Sequence, residues 1–148
     1  MKKIDTVQVV LSDMHSGSNY ALFLGREWQG LKNNNHTPRS GQLIIRNQFI
    51  KYADEVKRAR KNKKVVMIVN GDAIDGDHHC SNDVCTTNSK EQADIHIELM
   101  NEFESLIDWQ RGDEIYYTKG TEIHTGDWED YIGQQMNAVP NGDLYAFD

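Results

Sequence analysis

Three short stretches of this 148-residue chain carry side chains able to hold a metal ion. In Asp13-Met14-His15, a carboxylate and an imidazole stand two residues apart, so in an extended geometry both project to one side and share a cation. In Gly71-Asp72-Ala73-Ile74-Asp75, the glycine permits close backbone approach and leaves the two oxygens of Asp72 to bridge two ions. Gly120-Thr121-Glu122-Ile123-His124 adds a second imidazole. Each stretch alone is also an ordinary strand-end turn, where Asp and Gly are favoured for conformational reasons. Their joint placement points to metal chemistry.

That placement depends on the elements that precede them. Val7 to Leu11 is a β-branched run that stops at Ser12-Asp13, which reads as a buried strand. Val65 to Val69 is continuously apolar, the mark of a strand covered on both faces, and ends at Asn70-Gly71-Asp72. Glu114 to Thr118 reads as a third strand leading into Lys119-Gly120. Between them, Ile45, Phe49, Ala53 and Val56 repeat at helical spacing within a helix over 42–61. A second helix opens on a capping box of Ser89 and Gln92, carries the stripe His96, Met100, Phe103 and Ile107, and ends near Gly112. Trp128, Tyr131 and Ile132 suggest a final short helix. The alternation predicts an α/β fold, a mainly parallel β-sheet flanked by helices, within one domain spanning 1–148. In open sheets of this kind ligands sit outside the carboxyl ends of the strands, so the three stretches face one rim.

Other residues compete for a role. His78 and His79 follow Asp72 in a loop able to fold back to the ions, and His79 is counted as a candidate ligand because imidazole suits zinc, manganese, iron or nickel. Cys80 and Cys85 with that pair would make a small zinc knuckle, but the spacing is loose and no second pair exists, so free thiols are the expectation. His96 lies on an apolar stripe and is read as a core histidine, and His36, among asparagines, as solvated. The segment from Ser16 to Ser40, rich in Gly and Asn, reads as a long surface excursion with a short helical turn over 20–24. Its Tyr20 and Trp28 would cover the substrate side of the site or anchor the loop. The basic run Lys57, Arg58, Arg60, Lys61, Lys63 and Lys64 is read as cations complementing a helix end in preference to a phosphate-backbone site.

The pattern D-x-H, G-D-x-x-D and G-T-x-x-H resembles the calcineurin-like metallophosphoesterases, the last stretch being similar to a variant form of phage-type members. The resemblance implies that Asp13 and His15 hold a first metal, that Asp72 bridges two, that His124 is a second-site ligand or the acid for the leaving group, and that Asp75 supports from behind. Thr121 stands where that family usually has asparagine. Its later histidine-bearing motifs have no counterpart up to Asp148, so the expected form is an amino-terminal portion or a shortened α/β sandwich.

Composition bounds the partners. Acidic residues number 23 against 16 basic ones, a formal charge of −7, so the surface field opposes polyanions unless bound cations invert it locally. No run of about 18 apolar residues occurs, and the expectation is a chain without a secretory leader and with a cytoplasmic location. Neither a nucleophile elbow nor a phosphate-binding glycine loop occurs. The expectation is metal-dependent hydrolysis of a phosphate mono- or diester, with a nucleotide or nucleic acid among the candidate substrates. Two divalent ions about 3.5 to 4 Å apart would bind the phosphoryl oxygens and hold an attacking hydroxide. The alternative is a non-catalytic binding module that keeps the fold with an incomplete metal site.

Overall fold

The computed structural model describes residues 6–77, 83–122 and 124–148. The chain runs β1 (Thr6–Ser12), β2 (Trp28–Gln29), β3 (Asn35–His36), α1 (Ser40–Arg60), β4 (Lys64–Asn70), α2 (Ser89–Leu106), β5 (Glu114–Thr118), α3 (Trp128–Gln135) and β6 (Ala146–Phe147). Strands β1, β4, β5 and β6 form one sheet in that order, all pairs parallel, and three helices flank it. The α/β class expected from the alternation is therefore the class observed. Strand β6, too short to show a period, and the small β2–β3 hairpin were not anticipated.

Register ties the strand ends together. Ser12 lies opposite Asn70, and Asn70 opposite Thr118, so β1, β4 and β5 finish on one line. Val9, Met67, Val69, Ile115 and Tyr117 are buried on one side of the sheet. They meet Phe49, Ala53 and Val56 of α1, Ile95, Leu99, Met100 and Phe103 of α2, and Ile132 of α3 in a single core. The continuous run in β4 is nevertheless not covered equally: Val66 and Ile68 are only half-buried, because the alternation of side chains sends them to the other side. Truncating a core ring such as Phe103 to alanine would cost about 3 to 5 kcal/mol.

Four further expectations are corrected. Helix α1 ends at Arg60, and Ile45 on its predicted stripe is 40% exposed, whereas Gln42 is buried and takes a hydrogen bond from the Arg39 amide at 3.0 Å. Helix α2 is capped by Asn88, whose side chain accepts from the amides of Lys90 and Glu91, and it stops at Leu106 well before Gly112. Residues 20–24 make no helical turn, and the excursion is not merely superficial, since Leu22, Phe23, Leu24 and Trp28 all join the core. A Leu-Phe-Leu run gains enough by burial to pull its backbone inward without regular structure. His36 is not solvated: its Nε2 donates to Gln42 Oε1 at 2.9 Å, and its ring meets Phe23 edge to face.

The basic run has structural partners. Arg60 forms a buried ion pair with Asp113 at 2.7 Å, Lys57 pairs with Asp108 at 2.9 Å, and Lys64 pairs with Glu114. Among the described helices none is long and apolar enough to cross a membrane.

Candidate metal centre

The polar stretches after β1 and β4 stay paired beyond the sheet. The His15 amide donates to the Asp72 carbonyl at 2.9 Å, the Ser16 amide to Ala73 at 3.0 Å, and the Asp75 amide to Ser16 at 3.2 Å. The stretch after β5 closes on them through two glycines. A Cβ on Gly120 would lie 2.3 Å from the Asp72 amide nitrogen and 2.3 Å from its Oδ1, and one on Gly76 would lie 2.2 Å from the His124 carbonyl oxygen. Only a residue without a side chain permits these approaches.

Helix α2 clamps the same loop from behind. Gln92 Oε1 accepts from the Gly76 amide at 2.8 Å, while its Nε2 donates to the carbonyls of Gly76 and Thr86 at 3.1 and 2.8 Å. Gln92 thus serves the site loop and not the capping box assigned to it from spacing.

Asp13, His15 and Asp72 all adopt left-handed backbone, with φ of 51, 42 and 45°. Such a conformation is disfavoured for residues with a Cβ and persists where surrounding contacts enforce it, commonly at functional sites. For His15 and Asp72 the bond from the His15 amide to the Asp72 carbonyl is such a contact.

Two overlapping groups of ligand atoms result. Asp13, His15 and Asp72 form one, and His15, Asp75 and His124 the other, with the atoms of each group within 4.8 Å of one another. Ligand distances of about 2.0 to 2.2 Å to a cation place neighbouring donors roughly 3 to 4.4 Å apart, so each group closes on an ion with small side-chain adjustments. His15 belongs to both groups, and Asp72 to the first. The rings of His15 and His124 meet edge to face at 4.9 Å.

Hydrogen bonds prepare these atoms. Asp72 Oδ1 accepts from the Thr121 amide at 2.7 Å and from its hydroxyl at 2.9 Å. Ser12 Oγ donates to Asp13 Oδ2. The Asp75 carbonyl can only accept, so His124 Nδ1, 2.9 Å away, carries the proton and its lone pair lies on Nε2. His15 Nδ1 is buried and 3.1 Å from Asp75 Oδ1, yet off the line a hydrogen bond requires. A ring nitrogen and a carboxylate oxygen that converge without bonding each other are suited to a common cation. Among the described residues no Lys or Arg pairs with Asp13, Asp72 or Asp75. The mixed oxygen and nitrogen donor set fits a divalent transition ion.

Four of the five metal candidates taken from the sequence, Asp13, His15, Asp72 and His124, therefore stand together; His79, with His78 and Cys80, lies outside the described residues. Asp75, expected only behind the site, presents its carboxylate to it. His96 is a core residue with Nδ1 3.1 Å from Ser16 Oγ and Nε2 3.2 Å from the Tyr117 hydroxyl, and burial lowers its pKa to about 4. Cys85 is a buried free thiol with its pKa pushed up to about 12 by burial. Trp28 is buried away from the site, whereas Tyr20 borders the same cavity as Asp13 and His15.

Glu129 was missed. Fully buried in the first turn of α3, it accepts from the Ala73 amide at 3.4 Å, and burial raises its pKa. It shares a face with Ile132 and Met136 at positions i, i+3 and i+7, so a carboxylate on an apolar stripe was the available signal.

The molecule is thus an α/β protein whose parallel sheet presents two candidate metal-ligand groups at its carboxyl edge. No family model matches the sequence, and no curated protein or solved structure is significantly similar to it.

Proposed function

We propose that the chain is a metal-dependent phosphoric ester hydrolase similar to the calcineurin-like metallophosphoesterases. The observation that carries this reading is the convergence of Asp13, His15, Asp72, Asp75 and His124 from three consecutive strand ends. Asp13, His15 and Asp72 would hold one divalent ion, and His15 or Asp75 with His124 a second. Ions held by these residues would supply Lewis acidity to the phosphoryl oxygens and would lower the pKa of water so that a nucleophile is available near neutral pH.

The chain's own groups do the rest. Thr121 holds one oxygen of Asp72, Oδ1, in place. The Asp75 carbonyl fixes the His124 ring and its tautomer, which suits Nε2 to coordination or, when protonated, to giving its proton to the leaving oxygen. In the overall reaction a water oxygen forms the new bond to phosphorus, the ester P–O bond breaks, and the departing oxygen takes up a proton. With a formal net charge of −7 on the chain, bound cations would favour anion capture at this edge.

Elemental analysis after manganese loading, followed by assays on a phosphomonoester and a phosphodiester, tests the reading. Bound manganese and manganese-dependent hydrolysis, both lost in Asp72→Asn, are the expected results. Activity retained in that variant refutes the assignment, and bound metal without hydrolysis of either ester would indicate a binding module.

A further inference from the structure

The candidate metal groups open onto a cavity of 670 Å³, a size that accommodates a nucleoside-sized molecule. Asp13, His15 and Asp75 are among its lining residues. Tyr20, Leu22, Ile45 and Tyr52 line it as well, and among its described lining residues there is no Lys or Arg. Two of these apolar residues are conspicuous because they are not spent on the core: Tyr20 is 66% exposed and Ile45 is 40% exposed. Ile45 sits on the predicted apolar stripe of α1 but turns toward this cavity and solvent, which gives its exposure a use.

Tyr20 is held at the rim despite its exposure. Its hydroxyl donates to Asp83 Oδ1 at 3.3 Å, and the Arg39 guanidinium lies 5.8 Å from its ring centroid. A tyrosine ring presents apolar area and stacks well on another ring.

We infer that this site takes a small phosphate ester whose alcohol part is an uncharged aromatic group, the phosphate lying toward Asp13, His15 and Asp75 and the ring against Tyr20 and Ile45. This rests on the proposed function and specifies its substrate. A nucleic-acid strand fits less well, since a polyanion needs a series of cationic side chains along its path, whereas the described lining holds none and Arg39 stands beside it over the Tyr20 ring.

The test is calorimetric binding of three non-hydrolysable compounds, phenylphosphonate, methylphosphonate and n-hexylphosphonate, to the manganese-loaded full chain, with manganese stoichiometry measured on the same samples. Burial of one ring should make phenylphosphonate about ten-fold or more tighter than methylphosphonate. That ratio should collapse toward one in Tyr20→Ala and in Ile45→Gln, two exposed positions whose replacement leaves the core intact. Equal affinities in the wild type, or a ratio unchanged in both variants, would overturn the inference while bound manganese leaves the hydrolase reading standing. Hexylphosphonate binding as tightly as phenylphosphonate would overturn the aromatic assignment. If neither phenylphosphonate nor methylphosphonate binds, the inference fails, and absence of manganese in those samples would show that the hydrolase reading fails with it.

Discussion

Thr121 grips Asp72 twice, donating from its backbone amide at 2.7 Å and from its hydroxyl at 2.9 Å to the same oxygen, Oδ1. The two residues lie 49 positions apart, at the ends of adjacent strands whose register brings Asn70 opposite Thr118. A side chain that fixes one carboxylate oxygen orients the other, and losses of such supporting bonds commonly weaken metal binding by about 10 to 100-fold. Here the amide bond survives substitution, so Thr121→Val should lower manganese affinity by about 5 to 10-fold, the worth of one hydroxyl bond. Thr121→Ser should restore it. Titration of both variants with manganese checks this, and equal affinity in Thr121→Val and wild type would remove Thr121 from the site.

Glu129 ties α3 to the loop that carries Asp72, through its bond from the Ala73 amide. Burial raises the pKa of this carboxyl against the opposing pull of hydrogen bonds from the Thr125 hydroxyl and nearby backbone amides. Glu129→Gln keeps the accepting oxygen and is expected to stay within about 1 kcal/mol of the wild type. Glu129→Leu leaves the Ala73 amide unsatisfied, should cost about 1 to 3 kcal/mol, and should weaken manganese binding by disturbing the backbone next to Asp72. Denaturant unfolding with a parallel metal titration decides. A leucine variant that matches the wild type in both measurements would show that the tie has no effect.

One buried and one half-buried group set opposing pH dependences. His96 has its pKa lowered from 6.5 to about 4 by burial, so the unfolded chain takes up its proton first as the pH falls. Its stabilising contribution is complete above pH 6.5 and is lost as the pH drops toward 4. Glu104 runs the other way: burial first, and the Asp113 carboxylate second, raise its pKa from 4.5 to about 7. Its contribution is present below pH 4.5 and is lost as the pH rises through 7. Between these limits the two slopes offset each other. Glu104→Gln removes one of them, so its unfolding free energy should fall by about 2 to 3 kcal/mol from pH 6.5 to 4.5, more steeply than that of the wild type. Urea unfolding at several pH values across this window gives the comparison, and parallel profiles would refute the opposition.

How much of this could be read beforehand follows from the range of the forces involved. Strand β5 was legible to the residue because EIYYT is bounded by polar and glycine residues on both sides, and β1 and β4 to within a residue at each end. Asp13, His15, Asp72 and His124 were legible because short motifs after strands are local, and the parallel register then forces them onto one edge. Contacts between distant segments were not. Gln92 has the spacing of a capping-box partner to Ser89 but serves Gly76, and Asn88 is the cap in place of Ser89. His36 looked solvated among asparagines because its partners Phe23 and Gln42 come from different segments of the fold. Leu22 to Leu24 had no period, since a buried irregular segment follows the shape of the space it fills. Arg60 appeared as one of a run of cations, and only tertiary structure distinguishes it as the partner of Asp113.

The glycines at the centre give the sharpest structural test, because the same substitution should act in opposite directions at different positions. Gly120 abuts the Asp72 amide and Oδ1, each 2.3 Å from where a Cβ would stand, and neither backbone nor a held carboxylate can yield cheaply. Gly120→Ala must therefore push the third stretch away from Asp72, breaking the Thr121 bonds. A loss of about 1 to 3 kcal/mol and a marked drop in manganese affinity are expected. Gly76 combines a φ of +76° with a Cβ position 2.2 Å from the His124 carbonyl, so Gly76→Ala should be at least as damaging and should act on His124. Gly41, in the first turn of α1, has open space around it, and Gly41→Ala should be neutral or stabilising by up to about 1 kcal/mol, with manganese binding unchanged. Thermal unfolding and manganese titration of the three variants side by side measure this contrast. Gly120→Ala with wild-type metal affinity would mean that the close approach of this stretch to Asp72 has no part in metal binding.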